Sequence, residues 1–316
     1  MPEAITFDLE SFPPGSKGSL VINLAMLASR TPIEIPLFIF RGAHEGPVVL
    51  LMAGMHGDEV NGTEIIRRLI NENLISLEKG AVIALPLLNI YGFINFARYV
   101  PDGKDVNRSF PGTSLGSLAS RMAHFVTHQV LPKIDYGIDF HTGGGMIYNY
   151  PQIRCVFDNP LNLELANAFH PPMIINASLR EKSLREQATK AGKTILVYEA
   201  GESMRFDEYS IEEGINGTLR FLSHLGLINP IASVPAKKPI LIHQDNWIRA
   251  LQSGFFHPTT KPGDPLHKGQ LIGYLSDPDG SDKDDVFSPY EGYVISVNHM
   301  PVVNVGDALV HIGKSV

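Results

Sequence analysis

Val48-Val49-Leu50-Leu51-Met52, followed at once by Ala53-Gly54-Met55-His56-Gly57-Asp58-Glu59, is the stretch on which the reading of this chain turns. Five unbroken apolar residues with no alternation predict a strand buried on both faces, the kind found inside parallel sheets. Ala53-Gly54 ends it, and the spacing of Ile65, Ile66, Leu69 and Ile70 predicts an amphipathic helix over about residues 63–74. His56 and Glu59 therefore sit in a strand-to-helix turn. Further buried strands are expected at 81–85, 136–140 and 194–198, with a second helix from Ser117 to about Val130 that Pro132 stops. Ile33-Glu34-Ile35 and Leu37-Phe38-Ile39-Phe40 read as β-structure leading into this core. Strands alternating with helices predict an α/β domain around a largely parallel or mixed sheet.

The texture changes after residue 230. Pro230, Pro235 and Pro239 punctuate a linker, and short strands with Pro-Gly and Gly-Asp turns follow. A weak repeat is visible there. Gly254-Phe255-Phe256, Pro262-Gly263-Asp264 and Gln270-Leu271-Ile272-Gly273 correspond to Gly292-Tyr293-Val294, Val305-Gly306-Asp307 and His311-Ile312-Gly313. Two similar β-units facing each other predict a small all-β sandwich. The boundary is expected near residue 235, giving a first domain of residues 1–234 and a second of 235–316.

Composition narrows the function. The chain has 316 residues, 44% of them hydrophobic, which is ample for one large core or a large and a small one. A net charge of −7, with Lys237-Lys238 as the one short basic run singled out, argues against nucleic acid as a partner. The single cysteine, Cys155, rules out an internal disulfide and a cysteine zinc site, and fits a reducing cytoplasm. Glu3, Asp8 and Glu10 stand where a signal peptide would carry lysines, and no apolar run approaches the roughly 20 residues that span a bilayer. The expectation is a cytoplasmic protein with no membrane partner.

The chemistry gathers where the predicted strands run out. His56 and Glu59 follow the first, Phe140-His141-Thr142-Gly143-Gly144 follows the third, and Glu199 ends the fourth in Tyr198-Glu199-Ala200-Gly201-Glu202. Imidazole nitrogens and carboxylate oxygens are zinc ligands, and a catalytic zinc takes three of them plus water. Ligands of open α/β sheets bind outside the carboxyl ends of the strands, so this convergence points to a metal hydrolase. Asp105-Val106-Asn107-Arg108 adds a loop whose amide and guanidinium suit a substrate carboxylate. Arg98 lies ten residues upstream of Arg108. Asp139 precedes His141 on the same strand, and alternation of side chains is expected to turn it away from the metal.

Together, His56-x-x-Glu59, Asp105-x-Asn107-Arg108, Phe140-His141-Thr142-Gly143 and Glu199 resemble the succinylglutamate desuccinylase/aspartoacylase family, whose members are related to zinc carboxypeptidases. The resemblance runs over about residues 45–225. It implies a zinc-carboxypeptidase-like mixed sheet flanked by helices, one Zn2+ per chain and a small N-acyl amino acid as substrate. It also implies roles: His56, Glu59 and His141 as metal ligands, Glu199 as general base and then acid, and Arg98 as the group that polarises the scissile carbonyl. Asn107 and Arg108 match the carboxylate clamp. Arg180 and Arg185 both lie in the stretch that supplies a further substrate arginine, with Arg185 favoured. The family commonly has Glu-Thr-Gly where this chain has Glu199-Ala200-Gly201, and Glu202 is a second carboxylate close by. The C-terminal unit resembles the biotinyl/lipoyl carrier sandwich, without a lysine at a hairpin tip for modification.

Two other readings compete with a deacylase. One is a zinc carboxypeptidase acting on short peptides, and the other is a metal-binding module with a retired active site. The pair His124 and His128 could share a helix face, but covering the sheet is the expected role. His257, His267, His299 and His311 read as surface or packing residues. Between His141 and Glu199, Asn159-Pro160 and His170-Pro171-Pro172 suggest a long irregular segment that sets specificity. Exposed edge strands make a homo-oligomer a further expectation.

Overall fold

The apolar run at 48–52 becomes the inner half of a strand in a computed structural model that describes residues 7–27, 29–231 and 237–315. Sixteen strands are formed among the described residues: β1 (Lys17–Met26), β2 (Pro32–Arg41), β3 (His44–Ala53), β4 (Lys79–Leu85), β5 (Tyr136–Gly143), β6 (Ile147–Cys155), β7 (Met173–Asn176) and β8 (Thr194–Glu202), then β9 (Ile240–Arg249), β10 (Gly254–Pro258), β11 (Pro265–Leu266), β12 (Leu271–Ser276), β13 (Lys283–Phe287), β14 (Gly292–Asn298), β15 (Val302–Val303) and β16 (Ala308–Ser315). The α-helices are α1 (Asn61–Asn71), α2 (Ile90–Ile94), α3 (Leu118–Phe125), α4 (Pro160–Phe169), α5 (Leu184–Lys190) and α6 (Glu208–His224). No helix among the described residues is long and apolar enough to cross a membrane.

The centre is the parallel set β4-β3-β5-β8. The antiparallel pair β1-β2 extends it on one side, and β6, antiparallel to β8, extends it on the other. Both faces are covered, which is why β3 shows no alternation. Val49 and Leu51 pack into one apolar cluster with α1, α4 and α6, and Leu50 and Met52 into a second with α3 and α5. Burying each such side chain contributes roughly 1.5–3 kcal/mol. The fold is therefore mixed α/β, as expected.

The predicted helix at 63–74 starts two residues earlier and stops at Asn71. Asn73 adopts φ 53°, a left-handed conformation that asparagine tolerates and that closes the helix. The second helix, expected from Ser117, starts at Leu118 with Ser117 as its cap, is α-helical only to Phe125 and continues as a π-turn over Val126–Val130. The segment between His141 and Glu199 is not irregular, contrary to the sequence reading. It holds β6, α4, β7 and α5, with Asn159 capping α4, Pro160 at its first turn and His170 in a left-handed C-cap. The prolines mark joints between elements rather than a loop.

The C-terminal strands continue the same sheet. Strand β7 pairs with β9, β9 with β16, β16 with β14, and β14 returns to β6, so that β6-β7-β9-β16-β14 closes into a ring. Met173, Ile175, Ile242 and Ile295 form one buried cluster shared by β7, β9 and β14. Strand β11 also joins this sheet, beside β14, and the other four strands form a separate sheet, β13-β12-β10-β15. The repeat seen in the sequence is symmetric here. The short middle strand of each half crosses over, β11 pairing with β14 and β15 with β10, around one core of Phe256, Ile272, Val294 and Ile312. The boundary expected at 234/235 lies outside the described residues.

Candidate metal centre

Gly54 ends β3 at φ 62°, where an L side chain would be strained and its Cβ would meet Leu87 at 2.5 Å. The chain then turns through Met55–Val60 into α1, and both His56 and Glu59 face inward, 3% and 2% exposed. Strand β5 runs beside β3 with Ala53 opposite Phe140, so His141 emerges one residue past the end of β3. On the far side of β5, His141 is registered opposite Glu199 of β8. Three adjacent parallel strands thus deliver the four residues to one end of the sheet.

His56 Nδ1 lies 2.8 Å from Glu59 Oε1, and His141 Nδ1 lies 2.7 Å from Glu59 Oε2 and 3.2 Å from His56 Nδ1. The outer nitrogens are also engaged: His141 Nε2 donates to Asp139 Oδ2 at 2.8 Å and His56 Nε2 to Asp105 Oδ1 at 3.2 Å. Those carboxylates hold the proton on Nε2 and leave both Nδ1 lone pairs aimed at the same point. Donor separations of 2.7–3.2 Å compare with about 3.3 Å for the edge of a tetrahedron with zinc bonds near 2.0 Å. The donor set fits a zinc ion.

The electrostatics agree. Burial opposes charge on His141, yet Asp139 and Glu59 outweigh it and raise the imidazole well above its ordinary range. Burial likewise disfavours ionised Glu59, but His56 and His141 hold the carboxyl well below the usual carboxylate range. Asp139 and Glu59 thus favour positive charge at His141.

Asp139 corrects the sequence reading. It was expected to turn away, but residues two apart on a strand share a face, so Asp139 and His141 point the same way and bond. Asp105, quoted in a motif but given no role, bridges the site. Besides His56 it accepts from Arg98 Nη2 at 2.9 Å and Nε at 3.2 Å, and from the backbone N–H of Asn107 at 2.7 Å. Arg98 in turn reaches Glu59 Oε1 with Nη1 at 3.2 Å. Its position follows from the tight turn after α2, closed by Ala97 N–H to Gly92 O at 2.8 Å.

His56, Glu59, His141 and Arg98 line one cavity of about 450 Å³. Asn107, Arg108, Arg180, Arg185 and Glu199 line it as well. Asn107 Oδ1 accepts from Leu184 N–H at 2.9 Å, so the Nδ2 donor is the part of the amide left for a ligand. Arg108 is exposed and makes no ion pair among the described residues. Arg180 and Arg185 are both in the wall. Arg185 is the more enclosed: its Nη1 is buried without a partner among the described residues, and burial lowers its pKa to about 10. Glu202 is directed elsewhere, to His299 Nδ1 at 2.7 Å and Arg205 at 3.4 Å, whereas Glu199 faces the cavity.

Several wall residues escaped the sequence reading. Arg154 of β6 brings Nε to 4.0 Å from Glu199 Oε1, and Asn149 donates from Nδ2 to Glu199 Oε2 at 2.8 Å. Asp245 and Trp247 arrive on β9, and His311, read as a surface or packing residue, is buried against both, bonding Asp245 at 2.8 Å and stacking on Trp247. A polar residue inside a buried strand, as in Tyr148-Asn149-Tyr150, was the available signal. The rings of His124 and His128 do meet, with centroids 4.2 Å apart, but they join no cluster of three metal donors among the described residues.

The ends of the parallel central strands thus converge on a buried His-Glu-His group that could hold a metal ion, with a further carboxylate beside it. The model of the succinylglutamate desuccinylase/aspartoacylase catalytic domain matches residues 45–225, more than half of the chain, and the chain belongs to that family. It is 29% identical over 297 residues to the N-alpha-acetyl-L-2,4-diaminobutyric acid deacetylase of Halomonas elongata, covering 90% of this chain and 86% of that one. Its fold is that of a succinylglutamate desuccinylase/aspartoacylase from Rhodobacter sphaeroides, at a TM-score of 0.88 and 23% identity over 99% of this chain and 98% of that one. The product-bound ectoine utilization protein EutE (DoeB) of Ruegeria pomeroyi shares it too, at 0.86 and 21%, with the same coverage.

Proposed function

We propose that the protein is a zinc-dependent amidohydrolase that removes the acyl group from a small N-acyl amino acid, releasing a carboxylate and a free amino acid. The observation that carries this reading is the buried His56–Glu59–His141 donor set with Glu199 beside it in one arginine-lined cavity. His56, Glu59 and His141 hold the ion, one per chain. When bound, zinc polarises the amide carbonyl and makes water acidic enough to react near neutral pH.

Glu199 takes the proton of the attacking water as its oxygen bonds to the acyl carbon. The same carboxyl then gives the proton to the amine nitrogen as the C–N bond breaks. Arg98 faces the charge that develops on the carbonyl oxygen. Asn107, Arg108 and Arg185 grip the substrate carboxylate. A cavity of about 450 Å³, walled on one side by Asp245 and Trp247, suits a small molecule better than a peptide and favours this reading over a carboxypeptidase. The name of the Halomonas relative puts an acetyl group, and an amino acid with a second amine, first among the substrates to test.

The division into a hydrolase unit of residues 1–234 and a sandwich-like unit of 235–316 is part of this reading. The separate apolar core around Phe256 and Ile312 supports it, and the second unit supplies Asp245 and Trp247 to the cavity. A reducing cytoplasm suits the one buried, unpaired cysteine.

The test is metal analysis together with amine release from a panel of N-acyl amino acids, N-α-acetyl-2,4-diaminobutyrate included. About one zinc per chain, lost in the His56→Ala/His141→Ala double variant, is expected, with release of free amine. Failure to bind metal, or metal bound with no amine released from any member of the panel, would remove the proposal.

A further inference from the structure

Glu199 has two carboxylate oxygens, and the protein treats them differently. Oε2 accepts from Asn149 Nδ2 at 2.8 Å, while the nearest cation to Oε1, Arg154 Nε, stands at 4.0 Å, beyond hydrogen-bonding distance. Oε1 is therefore the oxygen left to carry a proton. A side-chain amide can present either of its ends, and a carbonyl oxygen turned toward a carboxylate would repel it. Only the Nδ2 end suits ionised Glu199, which sends Asn149 Oδ1 the other way. There it meets Ser296 Oγ at 2.6 Å, and because Oδ1 can only accept, the serine hydroxyl donates.

Ser296 is fully buried and Asn149 is 4% exposed, so both lie inside the protein behind Glu199. Ser296 belongs to β14, in the C-terminal part of the chain, and is registered directly opposite Asn149 of β6. That is the pairing that closes the ring of strands.

We infer that Ser296 is a positioning residue for the reaction. Acting through Asn149, it fixes the carboxylate of Glu199 with Oε1 toward the cavity, so the C-terminal strands complete the active centre as well as walling it. Ser296 touches no substrate; its effect is on the turnover step and not on binding.

This inference rests on the deacylase reading of Glu199, and its test separates the two. Ser296→Ala should lower kcat about tenfold with KM within about twofold of wild type, and Ser296→Thr, which keeps the hydroxyl, should recover most of the loss. Asn149→Ala should lower kcat at least as far, and adding Ser296→Ala to it should cost less than about twofold more, because the path through the amide is already gone. Thermal unfolding checks that each variant folds. Crystal structures of the zinc-loaded wild type and Ser296→Ala proteins give a reading without substrate: the Asn149–Glu199 contact should open beyond about 3.5 Å in the variant. Additive losses in the double variant, or a kept contact with unchanged kcat, would overturn the inference. A wild-type enzyme inactive on every N-acyl amino acid would count against the deacylase reading instead, and the two crystal structures would then decide the positioning claim alone.

Discussion

Asp139 and His141 stand two residues apart on β5, and their 2.8 Å bond sets which imidazole nitrogen is left for a metal. Outer partners of this kind are worth roughly 10–100-fold in metal affinity. Asp139→Asn keeps the shape and removes the charge, so zinc affinity should fall by about that factor with all three ligands intact, as measured by competition with a chromogenic chelator. Unchanged affinity would mean that His141 is oriented by packing alone. Glu64 makes a different residue-scale prediction, about stability. Hydrogen bonds from Arg67, at 2.6 and 2.7 Å, and from Arg68, at 2.8 Å, lower its carboxyl from an ordinary 4.5 to about 2. A depressed folded pKa stabilises the protein fully above 4.5, and the contribution fades as pH falls from there toward 2. Glu64→Gln should lower Tm by about 2–4 °C at pH 7 and by progressively less below pH 4.5, followed by thermal scans across that range.

At the scale of elements, the turn between β3 and α1 works only because it packs against the backbone of α2. A Cβ on Gly57 would sit 1.9 Å from the carbonyl carbon of Gly92 and 2.0 Å from the nitrogen of Phe93. Neither is a flexible side-chain tip, so backbone must move, and the segment that moves leads directly to Arg98. Gly57→Ala should cost more than about 2 kcal/mol of stability and lower kcat as well, read by chemical denaturation and by amine release. A variant as stable and as active as wild type would mean that the turn and α2 separate freely. Much at this scale was legible beforehand: the buried strands at 48–52, 81–85, 136–140 and 194–198 fall inside β3, β4, β5 and β8. What escaped was punctuation. Prolines at 160, 171 and 172 suggested a loop, but Pro160 starts α4 and the other two bridge α4 to β7.

On the scale of the whole molecule, β9 is hydrogen-bonded to β7 and β14 to β6, with β16 between β9 and β14, so the C-terminal strands finish a sheet that the N-terminal strands begin. A chain ended after residue 231 would expose the edges of β6 and β7 and the cluster of Met173 and Ile175. It should aggregate and release no amine, as judged by size-exclusion chromatography and assay. A soluble, active fragment would show that the ring is dispensable. The same architecture explains why Asp245 and Ser296 gave no warning in the sequence and why Asn149 gave only a faint one. Ser296 lies 147 residues from Asn149, and Asn149 lies 50 from Glu199, so only strand pairing brings them together.

The sequence alone determined the four central strands and the helix after the first of them, the mixed α/β class and the placement of His56, Glu59, His141 and Glu199 at strand ends. Hydrophobic periodicity is local, and each strand end can be located from its own neighbourhood. Tertiary structure decided which groups support those four. Asp139 faces His141 because the pleat has a period of two, Asp105 joins His56 to Arg98 across a loop, and Ser296 reaches Glu199 through Asn149 only when the ring of strands closes. The Asp139–His141 pair is set within one strand, but the other contacts join distant segments, and how those meet is fixed by packing of the whole sheet rather than by any one stretch of chain.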